Sequence, residues 1–195
     1  MKAVIFDFDG VIHDTFDLAY KINTEVLGYK LSKEKYRDFF NGNIYDRPEI
    51  NEEGAKTFFE KQNEAFEYLR IEENMKIFLK SLSEKYLLFI ITSNQEKTLD
   101  TYFRNNNFLN IFTQIMGMET NYSKVEKFKI LFEKYKLKKE ECIFVTDTLG
   151  DILEANKVGV KTIAVDFGFH ERERLKKGNP YKIVSSLDEI EKIID

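Results

Sequence analysis

The chain opens with Lys2-Ala3-Val4-Ile5-Phe6-Asp7-Phe8-Asp9-Gly10, an apolar run that ends in two aspartates and a glycine. Within Ala3–Phe8, the four residues before Asp7 are all apolar and do not alternate with polar residues. This pattern predicts a strand that is buried on both faces. Ligands of open parallel sheets collect beyond the carboxyl ends of the strands. We therefore expect Asp7 and Asp9 to face one functional crevice at that edge.

Further apolar runs follow along the chain and alternate with helical patterns. The predicted strands are Ala3–Phe8, Leu87–Thr92, Cys142–Thr146 and Thr162–Val165, with weaker ones at Gln114–Met118 and Lys182–Val184. Between them, the segment Lys124–Lys136 carries apolar residues at helical spacing. This alternation predicts an α/β fold, with a three-layer Rossmann-like core around a parallel sheet.

The segment from 16 to 70 breaks the alternation, because it shows helical periodicity and no convincing strand. We predict that it is an inserted, small, all-helical cap subdomain, and that residues 1–15 and 71–195 form the α/β core. Aromatic residues are dense in the insert. We interpret them mainly as its own core, with some rings lining a substrate cavity.

The charge composition indicates which classes of binding partner are unfavourable. The 195 residues carry 30 basic and 34 acidic side chains, for a net charge of −4, which argues against nucleic acid or an anionic membrane surface as a ligand. The sequence shows neither a signal-peptide pattern nor an apolar stretch of membrane-spanning length. We expect a cytoplasmic monomer or homodimer, with the single cysteine, Cys142, packed in the core.

A second pair of carboxylates follows another strand. Asp147 comes directly after Cys142–Thr146, and Asp151 lies one helical turn further on. Together with Asp7 and Asp9 they would crowd one rim, where like charges repel unless a cation neutralises them. An all-oxygen set of ligands favours Mg²⁺ over Zn²⁺.

Phosphate-binding groups are expected at the same edge. Ser93 and Asn94 follow the second strand and supply hydroxyl and amide donors. Lys124 begins a later helix, and its ammonium group is suited to hold a phosphate. Lys127, one turn later, is the alternative, and otherwise a solvated helix residue.

These residues resemble the motifs of haloacid dehalogenase superfamily phosphatases. Asp7-Phe8-Asp9-Gly10-Val11 is similar to the D-x-D-G-[TV] signature, and Asp14-Thr15 follows it as in many members. Ser93-Asn94 resembles the second motif, Lys124 the third, and Thr146-Asp147-Thr148-Leu149-Gly150-Asp151 the fourth, in the same order. The insert has the position of the helical cap of the phosphoglycolate phosphatase and β-phosphoglucomutase branch.

The resemblance implies a role for each residue. Asp7 attacks phosphorus and forms an aspartyl-phosphate, while Asp9 protonates the leaving oxygen and then activates water. The implied Mg²⁺ ligands are Asp7, Asp9 through its backbone carbonyl, and Asp147, with Asp151 either a direct ligand or a partner of the ligands. The implied phosphate-binding residues are Ser93, Asn94 and Lys124.

The expected function is therefore hydrolysis of a small phosphorylated metabolite. A phosphomutase of the β-phosphoglucomutase type is the alternative, and a phosphate-binding module without turnover is a third. Three further residues are interpreted as structural, although each has a position from which it could reach the site. His13 is assigned to packing, His170 to a surface loop and Arg47 to a solvated surface.

Overall fold

A parallel sheet of six strands forms the centre of the computed structural model, which describes residues 1–49 and 51–194. The strands are β1 Ala3–Phe6, β2 Leu87–Ile91, β3 Gln114–Met116, β4 Cys142–Thr146, β5 Lys161–Val165 and β6 Lys182–Val184. They lie in the order β3-β2-β1-β4-β5-β6, and each pairs in parallel with its neighbours. The predicted α/β fold is confirmed, and β1 is central.

The helices flank this sheet and also form the insert. The α-helices are α1 Phe16–Leu27, α2 Lys33–Arg37, α3 Glu52–Phe66, α4 Glu73–Ser83, α5 Glu96–Asn105, α6 Lys124–Tyr135, α7 Leu149–Val158, α8 Arg172–Lys176 and α9 Leu187–Ile194. None of the described helices is both long enough and apolar enough to span a bilayer.

Both faces of β1 are buried, as its continuous apolar run predicts. Val4 and Phe6 belong to one apolar cluster, whereas Ala3 and Ile5 belong to another on the opposite face, because successive side chains of a strand point to opposite sides. The strand is shorter than predicted. It ends at Phe6, and the carbonyl of Phe8 instead accepts backbone hydrogen bonds from the turn that follows.

The described residues between 16 and 70 contain helices and no strand. Their aromatic cluster includes Phe16, Tyr36 and Phe39, and Phe169 from beyond β5 packs into it. The cap therefore rests on a loop at the carboxyl edge of the sheet. The boundaries proposed from the sequence, 16–70 for the cap and 1–15 with 71–195 for the core, stay a prediction.

His170 ties the cap to the core, and its interpretation as a surface-loop residue is wrong. Its side chain is fully buried; Nδ1 accepts from the backbone N–H of Leu149 at 2.9 Å, and Nε2 lies 2.9 Å from the carbonyl oxygen of Arg37. With Nδ1 accepting, Nε2 carries the proton and donates it to Arg37. The sequence could not predict this role, because the two hydrogen-bond partners, Leu149 and Arg37, come from distant segments of the chain.

Candidate active site

The end of β1 places Asp7 beside a tight turn. The backbone N–H of Asp7 donates to Val145 on β4 at 2.9 Å, which fixes the point where the chain leaves the sheet. Gly10 has a φ of +68°, and a Cβ built on it would lie 1.9 Å from Oδ2 of Asp147. Glycine is therefore required here both for its backbone conformation and for the close approach of Asp147.

Lys124 joins two of the predicted carboxylates. Its Nζ lies 3.0 Å from Oδ2 of Asp7 and 2.6 Å from Oδ2 of Asp151. The Thr146 hydroxyl also donates to Oδ2 of Asp151, at 2.7 Å. The structure thus brings Lys124, Asp7 and Asp151 together in a buried cluster.

Lys127 occupies a different environment. It is fully buried, so its interpretation as a solvated helix residue is wrong, and its ammonium group donates to the backbone carbonyl of Thr92 at 2.5 Å. Burial, together with the positive charge of Lys124, lowers the pKa of Lys127 to about 8. Of the two lysines, Lys124 is the one that contacts Asp7.

The pKa values of the buried carboxyl groups are shifted, upwards for Asp7 and Asp147 and downwards for Asp151. Burial raises the pKa of Asp7 well above its usual range, although Lys124 opposes the shift, and burial likewise raises the pKa of Asp147. Burial would also raise the pKa of Asp151, but the charge of Lys124 and several hydrogen bonds outweigh it, and that pKa is lowered. Burial thus disfavours the charged forms of Asp7 and Asp147, whereas the contact with Lys124 favours the ionised form of Asp151.

Asp9 is held by hydrogen bonds to both of its carboxylate oxygens. The Thr15 hydroxyl donates to Oδ1 at 2.5 Å, and Nδ2 of Asn94 donates to Oδ2 at 2.7 Å. Burial raises the pKa of Asp9, and these hydrogen bonds limit the shift. Oδ1 of Asn94 accepts in turn from Nε2 of Gln62 at 2.9 Å. The Asn94 amide is thus engaged on both sides, and its predicted contact with phosphate stays a prediction.

The predicted Mg²⁺ ligands fit a hard cation by their chemistry. Oδ2 of Asp147 accepts from the backbone N–H of Phe169 at 2.6 Å, whereas Oδ1 is buried without a partner among the described residues. A buried carboxylate oxygen needs either a donor or a metal ion. Within residues 1–49 and 51–194, no three metal-ligating side chains converge on one point, and Asp7 and Asp151 both contact Lys124.

The cap and the sheet edge enclose one cavity above these groups. The core lines it mainly with polar and charged residues: Asp7, Asp9, Ser93, Asn94, Lys124, Asp147, Thr148, Asp151, Glu154 and Phe169. The cap lines it mainly with apolar and neutral residues: Ala19, Asn23, Val26, Leu27, Tyr36, Phe40, Gly42, Asn43, Ile44, Tyr45, Glu49, Gly54, Ala55, Phe58, Phe59 and Gln62. The candidate catalytic, metal-binding and phosphate-binding residues thus all face one space, which the cap covers.

Tyr45 and Arg47 lie close in the sequence but differ in their access to this cavity. The Tyr45 hydroxyl donates to the backbone carbonyl of Ser93 at 2.6 Å and so joins the cap to the second motif. The guanidinium of the half-buried Arg47 donates to the carbonyls of Phe39, at 3.0 Å, and Asp38. Arg47 is therefore a brace within the cap and not a freely solvated arginine.

His13 packs away from Asp7. Its Nδ1 lies 3.0 Å from the hydroxyl of Tyr102, and the two rings meet edge to face. It lines a second hollow outside the cavity described above. This placement agrees with its interpretation as a packing residue.

Two residues of the site were missed by sequence reasoning about function. Gln62 stands in the apolar stripe of α3, and a polar residue in a buried stripe is the signal that could have identified it. Glu154 lies one helical turn after Asp151. Its Oε1 accepts from the Ser123 hydroxyl and from the N–H of Lys124, each at 3.0 Å, so it fixes the start of α6.

Comparison with known proteins agrees with this architecture. Residues 4–165 match the family model described as haloacid dehalogenase-like hydrolase. The chain is 29% identical over its full length to a protein of Caldanaerobacter subterraneus named "Putative pyrophosphatase PpaX", of which it covers 94%. It is 22% identical over its full length to a phosphoglycolate phosphatase of Vibrio parahaemolyticus, of which it covers 96%. A haloacid dehalogenase-like hydrolase from Streptococcus pneumoniae shares the fold, with a TM-score of 0.82, 20% identity, and coverage of 100% of this chain and 99% of that one.

Proposed function

The chain belongs to the haloacid dehalogenase-like hydrolases, and we propose that it is a Mg²⁺-dependent phosphatase acting on small phosphate monoesters through an aspartyl-phosphate on Asp7. The observation that carries the proposal is the buried pairing of Asp7 with Lys124 at 3.0 Å, at the carboxyl end of the central strand. Asp9, held by two donors, lies only two residues further along the same turn.

Asp7 acts as the nucleophile. Its Oδ2 is the oxygen that faces Lys124, whose charge also draws in the dianionic phosphate. Attack forms a bond from a carboxylate oxygen to phosphorus and breaks the bond from phosphorus to the ester oxygen. Attack requires an ionised Asp7, and the positive charge of Lys124 favours that form.

Asp7, Asp147, Asp151 and the carbonyl of Asp9 would hold Mg²⁺, which would supply positive charge that favours ionised Asp7 and offsets the charge of the phosphate. Lys124 lies between Asp7 and Asp151 and adds a second fixed positive charge. Ser93 lines the cavity at the end of β2, where its hydroxyl can donate to a phosphate oxygen. These groups bind and orient the phosphoryl group.

Asp9 moves the protons. Its raised pKa favours the protonated form, which donates to the leaving oxygen as the ester bond breaks. The Asp9 carboxylate then takes a proton from the water that attacks the aspartyl-phosphate. The bond between phosphorus and Asp7 breaks, inorganic phosphate departs, and the Asp7 carboxylate is regenerated. Thr15 and Asn94 hold Asp9 in one orientation for both steps.

The test is phosphate release from p-nitrophenyl phosphate and from a panel of small monoesters, with Mg²⁺ and with excess EDTA. We expect turnover only with the metal, and none from Asp7→Asn, since the amide is nearly isosteric but a poor nucleophile. Asp14→Asn is the matched control, because Asp14 is exposed and its Oδ1 only accepts from the N–H of Phe16 at 3.2 Å. Undiminished turnover in EDTA, or by Asp7→Asn, would contradict the proposal.

Product analysis separates hydrolysis from phosphoryl transfer. Incubation with hexose 1-phosphate should yield free phosphate and hexose, whereas the phosphomutase alternative yields hexose 6-phosphate. Acid quench during turnover should leave a phosphorylated peptide that contains Asp7. Hexose 6-phosphate as the main product would replace the phosphatase assignment with the mutase.

A further inference from the structure

Gln62 is a buried polar residue of the cap, and one of its two polar side-chain atoms has no hydrogen-bond partner among the described residues. It lies on α3, is 2% exposed and lines the cavity, and its Oε1 is buried without a hydrogen-bond partner among the described residues. An unsatisfied buried acceptor is energetically unfavourable, because water has been removed and nothing replaces it. Such an atom in a substrate cavity marks a place where a ligand donates.

The orientation of the Gln62 amide follows from the carboxylate of Asp9. Nδ2 of Asn94 donates to Oδ2 of Asp9 at 2.7 Å, so the other atom of the Asn94 amide, Oδ1, is an acceptor. Asn94 therefore turns Oδ1 towards the cap, and Gln62 must present Nε2 to that oxygen, at 2.9 Å. The remaining atom of the amide, Oε1, is then an acceptor by necessity.

This acceptor lies close to the position of the leaving group. Gln62 is two hydrogen bonds away from Asp9, the residue that protonates the leaving oxygen in the proposed mechanism. The groups of the substrate that follow this oxygen therefore enter the part of the cavity that the cap lines. A hydroxyl group there can donate to Oε1.

The charge of the cavity wall excludes a second anion. Among the described residues that line it, Lys124 is the one cationic side chain, and it is already paired with Asp7 and Asp151. The cap contributes one carboxylate, Glu49. Its remaining lining side chains are neutral or apolar, among them Val26, Leu27, Ile44, Phe58 and Phe59. A carboxylate or second phosphate on the leaving group would be desolvated without a counter-charge.

We propose that Oε1 of Gln62 accepts a hydrogen bond from a hydroxyl of the leaving group, and that the substrate is the phosphate monoester of an uncharged, hydroxylated alcohol. The inference rests on the proposed phosphatase function and specifies its substrate class. It sets this chain apart from what two relatives are named for, since phosphoglycolate carries a carboxylate and pyrophosphate a second phosphate.

Three esters with the same two-carbon skeleton test the proposal: ethyl phosphate, 2-hydroxyethyl phosphate and phosphoglycolate. They differ only in the terminal group, which is a methyl, a hydroxymethyl or a carboxylate. We expect kcat/KM for 2-hydroxyethyl phosphate to exceed that for ethyl phosphate about tenfold, the effect of one buried hydrogen bond to a neutral group. The kcat/KM for phosphoglycolate should be lower than that for 2-hydroxyethyl phosphate by about tenfold or more.

Gln62→Met supplies the second readout. The variant loses the donor to Asn94 as well as the free acceptor, so all three rates can fall together, but the tenfold preference for the hydroxyl should disappear. Gln95→Met is the matched control: Gln95 immediately precedes α5, and its side-chain oxygen accepts from Asn63 at 3.2 Å, outside the cavity lining. It should retain the preference.

The outcomes separate this inference from the function on which it rests. Failure to hydrolyse p-nitrophenyl phosphate as well as the three esters would defeat the phosphatase proposal itself. Hydrolysis of the aryl ester with no rate on 2-hydroxyethyl phosphate, equal rates on the ethyl and hydroxyethyl esters, or a preference for phosphoglycolate would overturn the inference alone. If Gln62→Met keeps the preference for the hydroxyl, a group other than Gln62 accepts its hydrogen bond, and the inference is wrong.

Discussion

Lys124 and Lys127 lie one turn apart on α6 and are both buried, yet they meet different groups. Lys124→Met should lower kcat/KM by about 100-fold or more, because the phosphate loses a fixed positive charge in a dry site. Lys127→Met removes one hydrogen bond to Thr92 and should lower the free energy of unfolding by about 1–3 kcal/mol, while kcat stays within about tenfold. Steady-state kinetics and urea unfolding of both variants check this. A larger loss of kcat in Lys127→Met would reverse the assignment.

His170 is a buried imidazole whose charge state affects stability. Burial, with the nearby charge of Arg174, lowers the pKa of His170 to about 4. The unfolded chain therefore takes up this proton first, so the stability that the neutral imidazole confers is present above about pH 6.5 and is lost as the pH falls towards 4. The pKa difference corresponds to about 3 kcal/mol at most.

The prediction is best measured as a difference, because the buried carboxylates of the site titrate as well. His170→Gln keeps an acceptor and a donor but cannot take up the proton. The stability advantage of the original protein over His170→Gln should shrink by up to about 3 kcal/mol between pH 7 and pH 4, in chemical denaturation at a series of pH values. A difference that is constant with pH would mean that His170 does not titrate as described.

These residues also mark the limit of sequence reasoning. Asp7, Asp9, Asp147 and Lys124 could be proposed as one site because each follows a strand end or begins a helix, and parallel strands bring such positions to one edge. The burial of His170 and Lys127, and the relay from Gln62 to Asp9, depend on contacts between distant segments. No local pattern encodes those contacts.

At the scale of elements, the four inner strands β2, β1, β4 and β5 were predictable because they are largely buried and correspondingly apolar. The edge strands β3 and β6, whose patterns were weaker, also form, although β3 ends at Met116 and was predicted to end at Met118. The end of β1 was predicted two residues too late, since Phe8 is as buried as the strand but belongs to the turn. Hydrophobicity reports burial and does not distinguish a strand from a buried turn.

The first turn of α7 touches the cap through a glycine. A Cβ on Gly150 would lie 2.3 Å from the backbone oxygen of Gly42 and 2.9 Å from that of Phe40. Alanine usually favours a helix over glycine by about 1 kcal/mol, but here the added methyl group meets backbone that cannot rotate away. Gly150→Ala should push the cap outward and lower kcat/KM about tenfold or more.

Gly42→Ala is the matched control on the other side of that contact, because a Cβ on Gly42 meets nothing within 4 Å. It should retain kcat/KM within about threefold. Steady-state kinetics on p-nitrophenyl phosphate would compare the two variants. Equal behaviour would indicate that the contact between α7 and the cap does not matter for turnover.

Across the whole molecule, contacts between cap and core are spread around the site. Tyr45 donates to Ser93 on one side, Gln62 donates to Asn94, and Arg37 donates to the carbonyl of Phe169 at 2.8 Å on the other. Asn43 also donates to the carbonyl of Tyr122, at 3.1 Å. A cap fastened at several points forms a roof that excludes water and orients a small ligand.

Such a roof should disfavour a phosphate that is carried on a polypeptide, because the chain on either side of the phosphorylated residue would have to pass between the cap and the core. We expect kcat/KM for p-nitrophenyl phosphate to exceed that for a phosphotyrosine peptide by about 100-fold or more, although both are aryl esters with the same reacting bond. The same ratio should fall in Gly150→Ala, where the displaced cap admits the peptide more easily, but not in Gly42→Ala. Comparable efficiency of the unmodified protein on the peptide and the small ester would mean that the cap opens freely and does not select by size.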